Sequence, residues 1–490
     1  MISKIYNKIL YSNKHLLTFF IIYRIINSFF LFTMFEPDEF FQNIEPITYL
    51  LSGKNSLSWD ILVGIRSINY SLIFYLPLLL SYKLNSITLA YVSVKFMNGI
   101  IAGLNDYFTV KIGQLYNIDA VPITVLHHGL WLYSSRSHIN SFEMFICTSS
   151  FYFLEKFKRS SAKNKRKESF YLRLFLYLSL IGTFLRPSAF IMNLIPFMYC
   201  VYNMKLTLFL FSFIPELTLL LLTMIYNDYI FYQEFILVPY NFVKYNVLYN
   251  VQELFGTLPF YIYFLFAFVI MGPSLFYYLR NFKKNKMISA CALLFYIFYS
   301  LQGHKEMRFL IPMIPFVNII ASSSNKKNLF FFYISFIIGI IAGISHQSIL
   351  PTLWTLNKEI SRENKQRNIL FLTTPYIFPS FALLANKNVS VKCLSGNPNI
   401  FEKVQHPKVY KRFKEKIIVG EDTLVYEQVM KGNFTFDGYD LLVFNSLYYE
   451  LLKKSLQGNY KMIGKHDYYL IDLPHSPDNK FYVLKRIENK

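Results

Sequence analysis

Three carboxylates fall within four positions, Glu36-Pro37-Asp38-Glu39, where a long apolar run gives way to a polar segment. Pro37 disfavours helix at Glu36 and suits the first position of a new helix. Asp38 and Glu39 would then sit in a first turn, near the positive end of the helix dipole. A carboxylate held ionised there can take the proton of a sugar hydroxyl, which is the work of a general base. The same residues could equally cap an interfacial helix. The opposite charge gathers at His304-Lys305-Glu306-Met307-Arg308, three potential cations in one short turn. Such a turn suits a phosphate through charge-assisted hydrogen bonds. The alternative is a solvated turn in which Glu306 pairs with Arg308.

Two more segments carry polar side chains between apolar runs. One is Ser134-Ser135-Arg136-Ser137-His138-Ile139-Asn140-Ser141-Phe142-Glu143, the other Arg186-Pro187-Ser188. An arginine at such a place can serve a substrate, or simply pair with a carbonyl or with Glu143. A longer aromatic segment, from Asp228 through Asn241, Lys244 and Asn246 to Pro259, reads as an interfacial helix, either a plain anchor or a substrate contact. There is no paired-histidine spacing, no Asp-x-Asp and no glycine-rich phosphate loop, so neither a metal nor a cofactor is expected.

The elements that hold these residues belong to a membrane. Of 490 residues, 54% are hydrophobic and 16% charged, where soluble domains run nearer a quarter charged. The net charge of +21 would suit a nucleic-acid binder. The densest basic run, Lys156 to Lys167, instead lies between apolar stretches, as a cytosolic loop obeying the positive-inside rule does. No nucleic acid is therefore expected as a partner. Of the four cysteines, only Cys393 lies outside an apolar stretch, so no disulfide framework is expected. The first apolar stretch is too long for a signal peptide and no small-residue cleavage site follows it, so it is expected to remain as a span.

Apolar stretches recur at 16–35, 69–83, 87–104, 107–117, 120–134, 141–156, 170–186, 188–203, 206–226, 258–279, 288–303, 309–322 and 329–347. With a cytosolic N-terminus carrying Lys4, Lys8 and Lys14, alternate connections hold the basic residues Lys83, Lys156–Lys167, Lys205, Arg280 to Lys286 and Lys326/Lys327. The opposite connections begin at Glu36, Asn105, Ser135, Arg186, Asn227 and His304, and an odd count leaves the tail lumenal. The sequons at Asn388 and Asn433 both fall there. The expected organisation is a multispan transmembrane catalytic domain over 1–347, with an acidic lumenal loop at 36–68, and a lumenal α/β domain over 348–490. Within that domain Ile369–Leu372, Val389–Cys393, Leu441–Phe444 and Tyr468–Ile471 read as strands and Leu447–Leu456 as a helix.

Taken in order, these segments resemble the dolichol-phosphate-mannose-dependent mannosyltransferases of glycosyltransferase family 22. The likeness begins at Arg24-Ile25-Ile26-Asn27 and runs through Pro37-Asp38-Glu39-Phe40-Phe41-Gln42, Gly64-Ile65-Arg66-Ser67 and Lys95-Phe96-Met97-Asn98 to Asp106-Tyr107. It continues with Arg136 to Glu143, Arg186-Pro187-Ser188, Tyr240-Asn241-Phe242 with Lys244 and Asn246, and His304-Lys305-Glu306 with Arg308. Within the family the tail is most similar to the branch that adds the third mannose of the glycosylphosphatidylinositol (GPI) core, through Ile369 to Pro375, Val391-Lys392-Cys393-Leu394 and Lys480-Phe481-Tyr482-Val483. Departures occur at Leu258, at His138-Ile139 and before the Thr-Pro turn.

The resemblance implies a polytopic α-helical membrane protein of the GT-C type. It implies an endoplasmic-reticulum enzyme that moves mannose from dolichyl phosphate mannose to the second mannose of a GPI precursor. The α-1,2 bond would form with inversion and without a metal, among membrane lipids of that organelle. Branches serving the fourth GPI mannose or the dolichol-linked N-glycan precursor carry similar motifs. A multispan lipid or solute transporter is the non-enzyme alternative, though no internal repeat is visible. The implied catalytic pair is Asp38, as base, and Glu39. Implied substrate contacts are Gln42, Arg66, Asp106, Arg136, Asn140, Glu143, Arg186, Asn241, Lys244, Asn246, His304, Lys305, Glu306 and Arg308. Among them Lys305 and Arg308, with His304 and Arg136, would bind the leaving phosphate.

Overall fold

Two glycines one helical turn apart, Gly99 and Gly103, decide how the first long helices pack. A Cβ at Gly99 would stand 2.6 Å from the Cα of Ile25, and one at Gly103 2.6 Å from the Cα of Ile21. Helix Asn13–Phe30 and helix Ile87–Leu115 therefore meet backbone to backbone, the close approach that a small-xxx-small pattern permits in membranes. That approach brings Arg24 Nε to 2.5 Å from Asp106 Oδ2, both side chains fully buried. The sequence suggested a connection at Asn105, between spans 87–104 and 107–117. The structure has one helix of 29 residues there instead. Asp106 need not leave the apolar layer, because Arg24 neutralises it and Asn105 Nδ2 donates to its other oxygen at 3.2 Å.

The structure is a computed structural model. It describes residues 12–31, 38–53, 57–160, 165–203, 213–324, 328–345, 349–363, 365–372, 378–393, 435–467 and 480–487. These fall into two compact units, one of residues 1–29 and 95–340, the other of residues 30–94 and 341–490. From Asp38 on, the segment after the first helix groups with the C-terminal region.

The first unit is helical. Helices Ile139–Ser160 and Lys165–Leu185 pack along each other. Ser188–Asn203 crosses against Lys286–Leu301, and a 3₁₀ segment Met307–Met313 runs into Ile314–Ser322. Helix Ile262–Met271 turns through 107° into the helix beginning at Pro273. The corner is Gly272 at φ +48°, where a Cβ would meet the His128 ring at 2.7 Å. Among the described residues, three helical stretches are long and apolar enough to cross a membrane, four if this bent pair counts as one. The expected stretch 120–134 is split into the short helices Val121–Leu126 and His128–Tyr133. The chain is a multi-pass membrane protein.

The second unit holds the short helices Asp38–Phe41, Glu45–Ser52, Trp59–Leu62 and Ile68–Ser71, the helix Tyr75–Lys83, and a five-stranded sheet. The strands are β1 (Arg367–Leu372), β2 (Val389–Cys393), β3 (Leu441–Asn445), β4 (Tyr460–His466) and β5 (Phe481–Arg486), in the order β2-β1-β3-β5-β4. β1 pairs in parallel with both β2 and β3, and Ile369 faces Leu441 in register. Continuous apolar runs in β1 and β3 suit strands buried on both faces. β5 joins antiparallel, and β4 pairs with it across an irregularity between Met462 and Gly464. Helix Ser446–Leu456 starts where Asn445 Oδ1 accepts from Tyr448 N at 3.1 Å, an N-cap. Expected strands at 369–372, 389–393 and 441–444 and the helix at 447–456 stand, each within two residues. β4 was not expected, and Tyr468–Ile471 lies outside the described residues, as do Glu36, Pro37, the Thr373-Thr374-Pro375 turn and Asn433.

Candidate active site

The acidic turn belongs to the second unit. Asp38 opens a short helix and is half-buried, whereas Glu39 is 1% exposed. Glu39 lies beside the buried Tyr70, whose phenol feels its charge. Of the two carboxylates Asp38 is the more exposed. Gln42 is buried one turn on, its amide donating to the Asp38 carbonyl at 3.4 Å. Arg66 pairs through Nε with Asp60 Oδ2 at 2.8 Å. Asp60 is buried and also accepts from Ser58 Oγ at 2.6 Å and from Ile61 N at 3.0 Å. This holds Arg66 by the turn that follows Gly64.

The basic residues belong to the first unit and are brought together there. Arg186 Nε lies 2.9 Å from Glu143 Oε2, and Ser188 Oγ donates to Glu143 Oε1 at 2.6 Å. Arg186 Nη2 also donates to the Tyr299 hydroxyl at 3.4 Å. The Phe309 ring carries two guanidinium groups, Arg186 at 5.3 Å and Arg308 at 5.8 Å from its centroid. Arg308 is ion-paired with Glu306. Lys305 donates to the Gln302 carbonyl and stands 5.5 Å from the Tyr263 ring. His138, 1% exposed, feels the charges of Arg308, Arg136, Glu306 and Arg186 at once. Among the described residues, four buried cations, Arg136, Arg186, Lys305 and Arg308, thus gather here, with Glu143 paired to Arg186 and Glu306 to Arg308.

Hydrogen bonding decides several protonation states. His304 Nδ1 lies 2.8 Å from the Gly256 carbonyl and Nε2 lies 3.0 Å from Glu306 Oε1. Both partners are acceptors, an arrangement that favours the imidazolium, which donates from both ring nitrogens. Burial opposes that charge, but the Glu306 carboxylate and the Gly256 carbonyl outweigh it and raise the His304 pKa. Burial likewise opposes the charge on Glu306, yet Arg308 and His304 hold its carboxyl well below the usual carboxylate range. Burial lowers Lys305. Burial above all, then Arg308 and Arg136, keeps His138 neutral, and its Nε2 has no hydrogen-bond partner among the described residues.

Other expected site residues are placed differently. Asp106 lies within a helix, paired with Arg24, rather than in a connection. Asn140 is buried in the first turn of its helix, with Nδ2 lacking a partner among the described residues. Asn241 is buried in helix Val238–Val243, Lys244 stands between the Tyr240 and Tyr245 rings, and Asn246 is half-buried in the π-turn that follows. A few residues downstream the chain reaches the basic turn, Gln252 Nε2 donating to Gln302 Oε1 at 3.1 Å. Sequence reasoning quoted Arg24, Asn27 and His138 within motifs without giving them a role in the site, and did not name Tyr299. Asn27 Oδ1 accepts from Arg24 Nη1 at 3.0 Å and from Ser135 Oγ at 3.1 Å, tying the buried ion pair to the loop that carries Arg136. An arginine inside an apolar run was the available signal.

Comparison with known proteins follows the same lines. Residues 15–385 match the Alg9-like mannosyltransferase family. GPI mannosyltransferase 3 of Candida albicans is 30% identical over 314 residues, 62% of this chain and 62% of that protein. GPI alpha-1,2-mannosyltransferase 3 of Homo sapiens is 28% identical over 390 residues, 74% of this chain and 68% of that protein. Among solved structures, ArnT from Cupriavidus metallidurans bound to undecaprenyl phosphate is similar with a TM-score of 0.57, covering 96% of this chain and 97% of that one. At 11% identity that likeness bears on the fold, which is the expected GT-C type.

Proposed function

This chain belongs to the Alg9-like mannosyltransferase family, and we propose that it transfers mannose from dolichyl phosphate mannose to the second mannose of a GPI precursor in the endoplasmic-reticulum lumen. The new bond would be α-1,2, as in the name of the human relative. The N-terminus would be cytosolic and residues 348–490 lumenal. The observation that carries this reading is the gathering of buried cations around His138 and Phe309.

The donor is a phosphodiester with one negative charge. An acceptor hydroxyl oxygen attacks C1 of its mannose, the bond from C1 to the phosphate oxygen breaks, and the hydroxyl proton passes to Asp38. Configuration at C1 inverts in this single displacement. Dolichyl phosphate leaves as a monoester carrying a second negative charge. Arg308, Lys305 and the His304 imidazolium, with Arg136, answer that developing charge, and Glu306 holds Arg308 and His304 in place. Groups already fixed where charge develops stabilise a transition state without reorganising. Neutral His138, with an open Nε2, can hydrogen-bond the same phosphate.

The test is transfer in vitro from dolichyl phosphate mannose to GPI precursors bearing one, two or three mannoses. Product on the two-mannose precursor alone is expected, and product on the three-mannose precursor would redirect the reading to the fourth position. Asp38→Asn should lower the rate by about 10²–10⁴-fold, the usual worth of a general base. A normal rate would refute Asp38 as the base.

A further inference from the structure

We propose that Glu45 is a positioning residue for the acidic turn, and that the C-terminal sheet region works through it as part of the catalytic apparatus. The inference rests on Asp38 being the base. Glu45 is fully buried and its Oε1 accepts two hydrogen bonds, from Ser380 Oγ at 2.6 Å and from the Phe381 amide at 2.7 Å. These partners lie 335 and 336 residues away in sequence, within the same compact unit. A buried carboxylate is costly unless such partners hold it.

The receiving end is short of a partner of its own. Helix Ser380–Leu384 follows Pro379, which makes no side-chain cap bond. Its first-turn amide needs an acceptor, and Glu45 supplies one from the other end of the chain. That helix is anchored on the sheet: Phe378 packs on Phe371 of β1 at 4.7 Å and on Phe481 of β5 at 6.1 Å between ring centroids.

The giving end leads to the base. Phe40, two residues after Asp38, meets the Phe381 ring at 5.2 Å. Backbone bonds run from Gln42 N to the Asp38 carbonyl, from Ile44 N to the Phe40 carbonyl at 2.8 Å, and from Thr48 N to the Ile44 carbonyl. The turn bearing Asp38 is thus continuous with the helix bearing Glu45, and one carboxylate and one ring contact fasten both to Ser380-Phe381. Glu45 touches no reacting atom. It fixes where Asp38 stands.

The experiment uses the full-length chain purified in detergent, with dolichyl phosphate mannose and the two-mannose precursor. Glu45→Ala should lower kcat by about 10- to 100-fold, the scale on which small misplacements of a reacting group act. The donor KM should stay within about twofold and the pH profile keep its shape, because the base is unchanged. Ser380→Ala, which removes one of the two bonds and leaves the Phe381 amide bond, should lower kcat by about 3- to 10-fold. Wild-type kcat in Ser380→Ala and Glu45→Ala, with Asp38→Asn inactive, overturns the positioning role alone. If Glu45→Ala does not fold, wild-type kcat in Ser380→Ala is enough to overturn it. Full activity in Asp38→Asn overturns the base assignment and the positioning role together.

Discussion

Two clusters of buried charge occupy the helical unit, and they differ in how that charge is answered. Around Arg24 every charge is answered: one arginine meets one aspartate, and Asn27, Asn105 and the Thr124 carbonyl complete the set. Around His138 and Phe309, among the described residues, four buried cations gather with the Glu143 and Glu306 carboxylates, and a histidine whose pKa is raised stands beside them. Burying charge is expensive in either place. A neutral cluster repays it internally and needs nothing more, so it can hold helices together. A cluster in which cations gather is the one we propose meets the donor phosphate. The lesson is to look at how charge is answered: depth of burial does not separate the two clusters, since Arg24 and Arg136 are both fully buried, and the proposed site is the cluster where cations gather.

The largest effects should come from breaking the balanced cluster. Asp106→Ala leaves Arg24 buried without its carboxylate, which typically costs about 3–5 kcal/mol. The expected outcome is loss of folded protein, measured as monodisperse yield and thermal unfolding in detergent. Replacing both partners, Arg24→Met with Asp106→Leu, should recover most of that stability and keep transfer. A double variant that folds but transfers no mannose would put the Arg24–Asp106 pair in the site and end the contrast.

The cluster where cations gather should respond in rate rather than in folding. Arg308→Ala removes a cation assigned to the leaving phosphate in the proposed reaction and is expected to cost about 10²–10³-fold in kcat, the range found for losing one preorganised donor to developing charge. Glu306 stays partnered by His304 in that variant, so the melting temperature should move little. Arg308→Lys keeps the charge and loses the planar fork, and should recover only part of the rate. A melting temperature that falls as far as in Asp106→Ala would mean that Arg308 too is scaffold.

What the sequence disclosed follows from the range of the interactions. The acidic turn and the basic turn are each contiguous, and unlike charges beside apolar runs are visible without a partner. The strands β1 and β3 were legible because both are unbroken apolar runs. β4 was not, since Tyr-Lys-Met-Ile-Gly-Lys-His alternates poorly and its pairing with β5 shifts between Met462 and Gly464. Asn105-Asp106 read as a break because an aspartate in an apolar run looks like an exit, and its partner Arg24 lies 82 residues earlier. Glu45 was not singled out, because a first-turn acid beside Pro46 carries no local sign of a distant partner. Its role depends on Ser380 and Phe381, which no local pattern connects to it.

The smallest effect, and the one that sharpens the comparison most finely, is a proton. His304 donates to Gly256 O and to Glu306, and its pKa is raised above the usual 6.5. A raised histidine pKa means that the charged form is the favoured one in the folded protein. Its contribution is complete below the ordinary value and is lost as pH rises through the raised one. Glu306, lowered by Arg308 and His304, stays ionised throughout that window and does not contribute to the change. Transfer should therefore fall on the alkaline side by up to about 10-fold, the size of one charge-assisted hydrogen bond. His304→Gln should show a low rate without that alkaline limb, since a glutamine amide cannot gain or lose the charge. Asp106 and Arg24, already neutralised by each other, should leave the limb unchanged in the Arg24→Met, Asp106→Leu variant. If the limb persists in His304→Gln, the titrating cation is another member of the cluster, and Lys305, whose pKa burial lowers, is the residue to exchange next.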